Sequence, residues 1–154
     1  MTDWLEIARE ADFAACAFDS DLTQDVVRDI SGASNILLAD MFGLYLKTKN
    51  FHWHMSDPHF RDYHFLLDEQ DDQIFATTDA IAERVRKIGG ATSQSIGHIG
   101  RLQRIPDSDA DFVAPMGMLA ELRDDNKQLT MKLRQTPGLC EKYGNVATAS
   151  LLEI

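Results

Sequence analysis

Residues 58–88 read PHFRDYHFLLDEQDDQIFATTDAIAERVRKI. The stretch has the outline of one long helix. Ser56-Asp57-Pro58 opens it, with Ser56 or Asp57 placed to cap the N-terminus and Pro58 at the first helical position. Gly89-Gly90 closes it, and Arg84, Arg86 and Lys87 fall in the last turn, where cations complement the helix dipole. Within it, His64 and Asp68 are spaced i, i+4, and so are Asp79 and Glu83. At ~100° per residue, positions 64, 68, 79 and 83 fall at about 0°, 40°, 60° and 100°, on one stripe of the helix. Imidazole and carboxylate at i and i+4 can grip one metal ion.

The two pairs cannot share an ion within one chain. At ~1.5 Å per residue, His64 and Asp79 are separated by about 22 Å along the axis. A second copy of the helix, antiparallel about a two-fold near residue 73 or 74, would set His64 and Asp68 of one chain against Asp79 and Glu83 of the other. That contact is isologous and yields two equivalent sites.

The preceding segment, residues 24–54, carries Val27, Ile30, Leu37, Leu38, Met41, Phe42, Leu44 and Tyr45 at three- and four-residue intervals and reads as another long helix. A tight turn brings it back antiparallel to residues 58–88. His52, twelve residues before His64, then comes level with the first turns of the next helix and is a fifth candidate ligand. Two imidazoles and three carboxylates suit ferrous iron, with manganese and zinc as competitors. Each residue alone has a plainer reading. His52 lies in an aromatic-rich hairpin end, as do His54 and, nearby, His59, and those two are left as packing or surface residues. The 68–72 acidic run reads as a solvated helix face, and Glu83 can pair with Arg84 or Lys87.

Further along, residues 91–112 form a connection holding one short helix around Ser95–Arg101. Ala114-Pro115 starts a third long helix with the stripe Met118, Leu119, Leu122, Leu129 and Leu133, and Thr136-Pro137-Gly138 is expected to end it. A last helix begins near Val146. Strand-like alternation is absent, so the fold class is all-α. Residues 1–23 are an acidic N-terminal arm or short helix, and 24–154 the main domain.

The bulk numbers narrow the function classes. A chain of 154 residues with 44% apolar content makes one globular domain the default. No apolar run reaches the ~18–20 residues that span a bilayer, and no secretory leader is visible. A net charge of −10, from 25 acidic and 15 basic residues, argues against nucleic-acid backbones and suits small cations. Cys16 and Cys140 lack metal-ligand spacing and read as reduced thiols. Glu-x-x-His, P-loop, dinucleotide-turn, Gly-x-Ser-x-Gly and Cys-x-x-Cys motifs are all missing, so no organic cofactor is expected.

The segments LYLKTKNFHWH (44–54) and FRDYHFLLDEQ (60–70), continued by DAIAER (79–84) and Gly89-Gly90, resemble the helix signatures of the Dps family, the mini-ferritins named as DNA-binding proteins from starved cells. The resemblance covers roughly residues 30 to 154. The spacings of twelve, four, eleven and four between positions 52, 64, 68, 79 and 83 match that family's ferroxidase centre.

The resemblance implies a ferritin-like four-helix bundle with a short helix in the crossover connection, assembled into hollow dodecamers. It implies Fe(II) oxidation, preferably with hydrogen peroxide, at a site on the two-fold, and storage of Fe(III) as mineral in the bacterial cytoplasm. That chemistry protects against oxidative damage. His52, His64 and Asp68 would come from one subunit and Asp79 and Glu83 from its neighbour. Trp53 would intercept stray oxidising equivalents or simply pack.

Two departures stand out. Lys-rich arms bind DNA in some members, whereas the arm here sets Asp3, Glu6, Glu10, Asp12, Asp19, Asp21 and Asp25 against Arg9, so direct arm-mediated DNA binding is not expected. The family's fourth helix runs about three turns past the segment ending at Ile154. The expectation is therefore a fourth helix of only ~13 Å, in either a naturally truncated chain or an incomplete sequence, with apolar stripes left exposed and shell assembly weakened wherever the rest of that helix is missing. The alternatives are a structural DNA-protecting nucleoid protein, an assembly-defective or regulatory subunit, or a dimeric manganese or zinc protein.

Overall fold

The computed structural model describes residues 22–152 except Asp57. The possible arm helix, the acidic arm residues up to Asp21 and Cys16 lie outside these. Five helices follow in order: α1 (Gln24–His54), α2 (Phe60–Lys87), α3 (Ile96–Leu102), α4 (Pro115–Lys142) and α5 (Val146–Leu151). Among the described residues there is no strand. α1 is the central element, with α2, α3 and α4 packed on it, and α5 bridges the far end of α2 to α4.

Thr23 caps α1 by accepting from the Val26 amide. The helix then supplies Ile30, Leu37, Leu38, Met41, Leu44 and Phe51 to the main core, where Leu67 and Ile81 of α2 and Met118, Leu122 and Leu129 of α4 meet them. The sequence pattern indicates one apolar face, but α1 is buried all round between Asp29 and Met41. Its polar residues in that stretch act as clamps. Asn35 donates to Ala91 O (2.8 Å) and accepts from Ser93 N (3.1 Å). Asp40 receives Arg104 Nε (3.0 Å), Nη2 (2.6 Å) and backbone N (2.5 Å). Both clamps fasten the crossover to α1, and they satisfy buried polar atoms that would otherwise be costly. Ser31 packs under Gly90, where a Cβ would come within 1.9 Å of Ser31 Oγ, so only glycine fits.

α1 and α2 form an antiparallel hairpin. Successive contacts run 52–64, 49–71, 45–75 and 31–90. α2 begins two residues later than expected. Its first amides, from Asp62 and Tyr63, bond to His59 O, so Pro58 lies in the preceding turn. His59, not Ser56, is the N-cap, without a side-chain cap bond, and Asp57 is outside the described residues. The C-terminus ends as expected on Gly89 (φ 92°), with Gly90 N bonding back to Val85 O.

α4 starts at Pro115 but does not stop at Pro137. An interior proline forfeits one backbone bond and costs roughly 3 kcal/mol. Packing outweighs that here: Thr136 and Cys140 are buried, and the Thr136 hydroxyl donates to Lys132 O. The helix ends one turn further on, at Gly144 (φ 69°), where Asn145 N reaches Cys140 O. Burial pushes the free Cys140 thiol up to about 11, which keeps it unreactive at neutral pH.

Asn145 caps α5 through Thr148 N, and Arg84 of α2 grips both residues, donating to Thr148 Oγ1 (2.8 Å) and Asn145 Oδ1 (3.0 Å). Further back along α2, exposed Leu66 and Met131 line an open groove between α2 and α4.

Candidate metal centre

The start of α2 is laid against the end of α1 by the hairpin, and three of the five candidate residues meet there. His52 Nε2 lies 3.1 Å from Asp68 Oδ1. The rings of His52 and His64 are 4.0 Å apart between centroids, and Phe60 covers His64 at 3.9 Å. Because His64 and Asp68 are one turn apart on α2, both face His52 on α1. Both ring nitrogens of His52 and Nε2 of His64 are buried with no hydrogen-bond partner among the described residues, and of these His52 Nε2 is the one that faces Asp68. An orphaned buried ring nitrogen calls for an explanation, and a cation approaching the imidazole lone pair supplies one.

Burial, with a smaller contribution from His52, holds the His64 ring below its usual pKa, against the opposing pull of Asp68. The hydrogen bond from Lys49 is the main reason the Asp68 carboxyl lies below its usual range. Metal ligation needs neutral imidazole. A lowered His64 pKa means the neutral form persists as pH falls past 6.5, the ordinary value. Co(II) affinity is therefore expected to fall as the pH is lowered from 7.5 to 5.5, because a protonated imidazole no longer ligates. Affinity unchanged over that range would contradict this.

Asp79 and Glu83 lie on the same stripe of α2 but not beside the other three. Both are exposed, and Glu83 is held by Lys87 at 2.7 Å, the main cause of its lowered pKa. Among the described residues no three His, Cys, Asp or Glu side chains of one chain close into a metal site. His54 turns back onto Asn50 O, and His59 stacks near Tyr63, in keeping with packing roles. Trp53 is 62% exposed, so it is not packed into its own chain's core.

Two neighbours were not singled out by the sequence pattern. Lys49 Nζ lies 3.1 Å from Asp68 Oδ1 and 2.7 Å from Asp71 Oδ2. The 68–72 run is therefore not uniformly solvated: Asp71 is 1% exposed. The available signal was helical phase, since Lys49 precedes His52 by three and Asp71 follows Asp68 by three.

The family model described as "Ferritin-like domain" matches residues 33–154. A low temperature-induced protein of Nostoc sp. is 35% identical over 113 residues, covering 73% of this chain. The chain spans 63% of that relative's length. The DNA protection during starvation protein of Halobacterium salinarum is 28% identical over 138 residues, 90% of this chain and 74% of the relative. Among solved structures, DpsC from Streptomyces coelicolor superposes with a TM-score of 0.85 at 25% identity, covering 90% of this chain and 80% of its own. With an all-helical bundle in common and the family model matched across most of its length, the chain belongs to the ferritin-like family, in its Dps branch.

Proposed function

We propose that the chain is a ferroxidase and iron-storage subunit that binds Fe(II) across a two-fold dimer. Each site would combine His52, His64 and Asp68 of one subunit with Asp79 and Glu83 of the partner subunit. The observation that carries this reading is the half-site itself: His52 Nε2 and His64 Nε2, both buried without a hydrogen-bond partner, with Asp68 Oδ1 3.1 Å from His52 Nε2 and no further group among the described residues to complete a metal site.

Two features support the dimer. The pairs 64/83 and 68/79 share one midpoint, between residues 73 and 74, as a two-fold requires. The hairpin also leaves Leu46, Trp53, Phe65 and Phe75 exposed, an apolar load that monomers rarely leave uncovered.

Iron is substrate and cargo here. The five side chains orient Fe(II), and their carboxylates offset the charge gained on oxidation. Two ferrous ions give one electron each to hydrogen peroxide, whose O–O bond breaks, and with two protons two waters form. The ferric product would then be stored in the interior of a twelve-subunit shell. Activity in the bacterial cytoplasm is part of the proposal. No helix among the described residues is long and apolar enough to cross a membrane. DNA binding is not part of it, because the first 25 residues lack a lysine cluster.

The test is an anaerobic Fe(II) titration followed by peroxide, with oxidation read optically. Saturable binding and oxidation faster than in protein-free buffer are expected. A rate equal to buffer would overturn the reading.

A further inference from the structure

Lys49 stands where an incoming cation would have to go. Its ammonium is 3.1 Å from Asp68 Oδ1, the same oxygen that His52 Nε2 approaches at 3.1 Å. A metal ion bound through that oxygen would be repelled by a fixed positive charge beside it, so Lys49 must yield for Asp68 to serve as a ligand. Asp71 provides a place to yield to. Its Oδ2 is 2.7 Å from the same ammonium, and its Oδ1 is buried without a hydrogen-bond partner among the described residues. The carboxylate is almost wholly enclosed and lies one turn beyond Asp68, on the side away from His64. A short swing of the flexible lysine stem exchanges a shared contact for one wholly on Asp71.

We propose that Asp71 is a parking site for Lys49, and that the pair sets the metal affinity of the centre by controlling how much of the ammonium's charge falls on Asp68. Both are positioning residues acting through Asp68. The inference rests on reading His52, His64 and Asp68 as metal ligands. The competing role is a purely structural ion pair tying α1 to α2.

Anaerobic Co(II) titration of the full chain separates these, since the ion's absorption reports binding without turnover. Asp71→Asn leaves Lys49 only Asp68 to pair with, and should weaken Co(II) binding about tenfold, in the range for groups behind a ligand. Lys49→Gln should strengthen it by a similar factor. In the Lys49→Gln background, Asp71→Asn should have little further effect, the non-additivity expected of residues acting through one another. Asp71→Glu, which keeps the carboxylate, should restore affinity.

If Asp71→Asn weakens binding equally with and without Lys49, its own charge is responsible and the proposal fails. Should Asp71→Asn not fold, Lys49→Gln still decides: unchanged affinity there means Lys49 does not compete. His64→Ala distinguishes the deeper failure. Wild-type Co(II) affinity in that variant overturns the site reading, whereas lost binding in it, combined with an inert Lys49, overturns the parking role alone.

Discussion

Replacing His64 or Asp79 with alanine is expected to slow peroxide-driven Fe(II) oxidation about 100-fold or more. Changing a group that merely orients a metal ligand costs 10–100-fold, and a ligand itself should cost at least as much. The two residues sit about 22 Å apart along one helix, yet equal severity is expected for both. His64 belongs to the half-site formed with His52 and Asp68. Asp79 is exposed and distant from that cluster in its own chain. A carboxylate so placed should be dispensable unless a second subunit brings it to the metal. Comparing oxidation rates of the two variants with wild type, after checking helicity and melting, reads this directly. Oxidation within twofold of wild type in Asp79→Ala would remove the intersubunit part of the proposal.

The largest effect on stability is expected at Lys47. Its ammonium lies 2.7 Å from Asp125 Oδ2, 3.2 Å from Glu121 Oε2 and 3.0 Å from Pro106 O. Lys47 and Asp125 side chains are each 6% exposed. Lys47→Met strands a buried carboxylate, which costs about 3–5 kcal/mol. For a chain of this size that corresponds to a fall in Tm of roughly 10 °C, compared at equal protein concentration. Lys47→Met combined with Asp125→Leu should recover most of the loss, because removing both partners leaves no uncompensated charge. A double variant as unstable as the single would show that packing around Lys47, not the ion pair, is what matters.

Much of this architecture was legible because local signals and tertiary packing agree. α1 spans Gln24–His54 as its periodicity indicates, and Ser95 caps the crossover helix where a short helix was expected. The disagreements have physical causes. Pro137 is a helix breaker by local cost, but burial of Thr136 and Cys140 holds the helix together through it. The full burial of the centre of α1 could not be read from Ser31, Asn35 and Asp40, since their partners Gly90, Ala91, Ser93 and Arg104 lie more than fifty residues away.

The centre shows the same division. Helical phase aligned His64 with Asp68, and the hairpin length set His52 against them. Lys49 and Asp71 were hidden among charged neighbours, because a charge run looks solvated until a second helix is laid over it.

The most direct test of the shared site mixes two inactive variants. His64→Ala and Asp79→Ala chains would be unfolded together and refolded. In a mixed dimer, one site carries both lesions and the other carries neither. Random pairing should therefore restore about one quarter of wild-type Fe(II) oxidation, because half the dimers are mixed and each has one intact site of two. A mixture no more active than the two variants refolded separately would contradict a centre built across the two-fold.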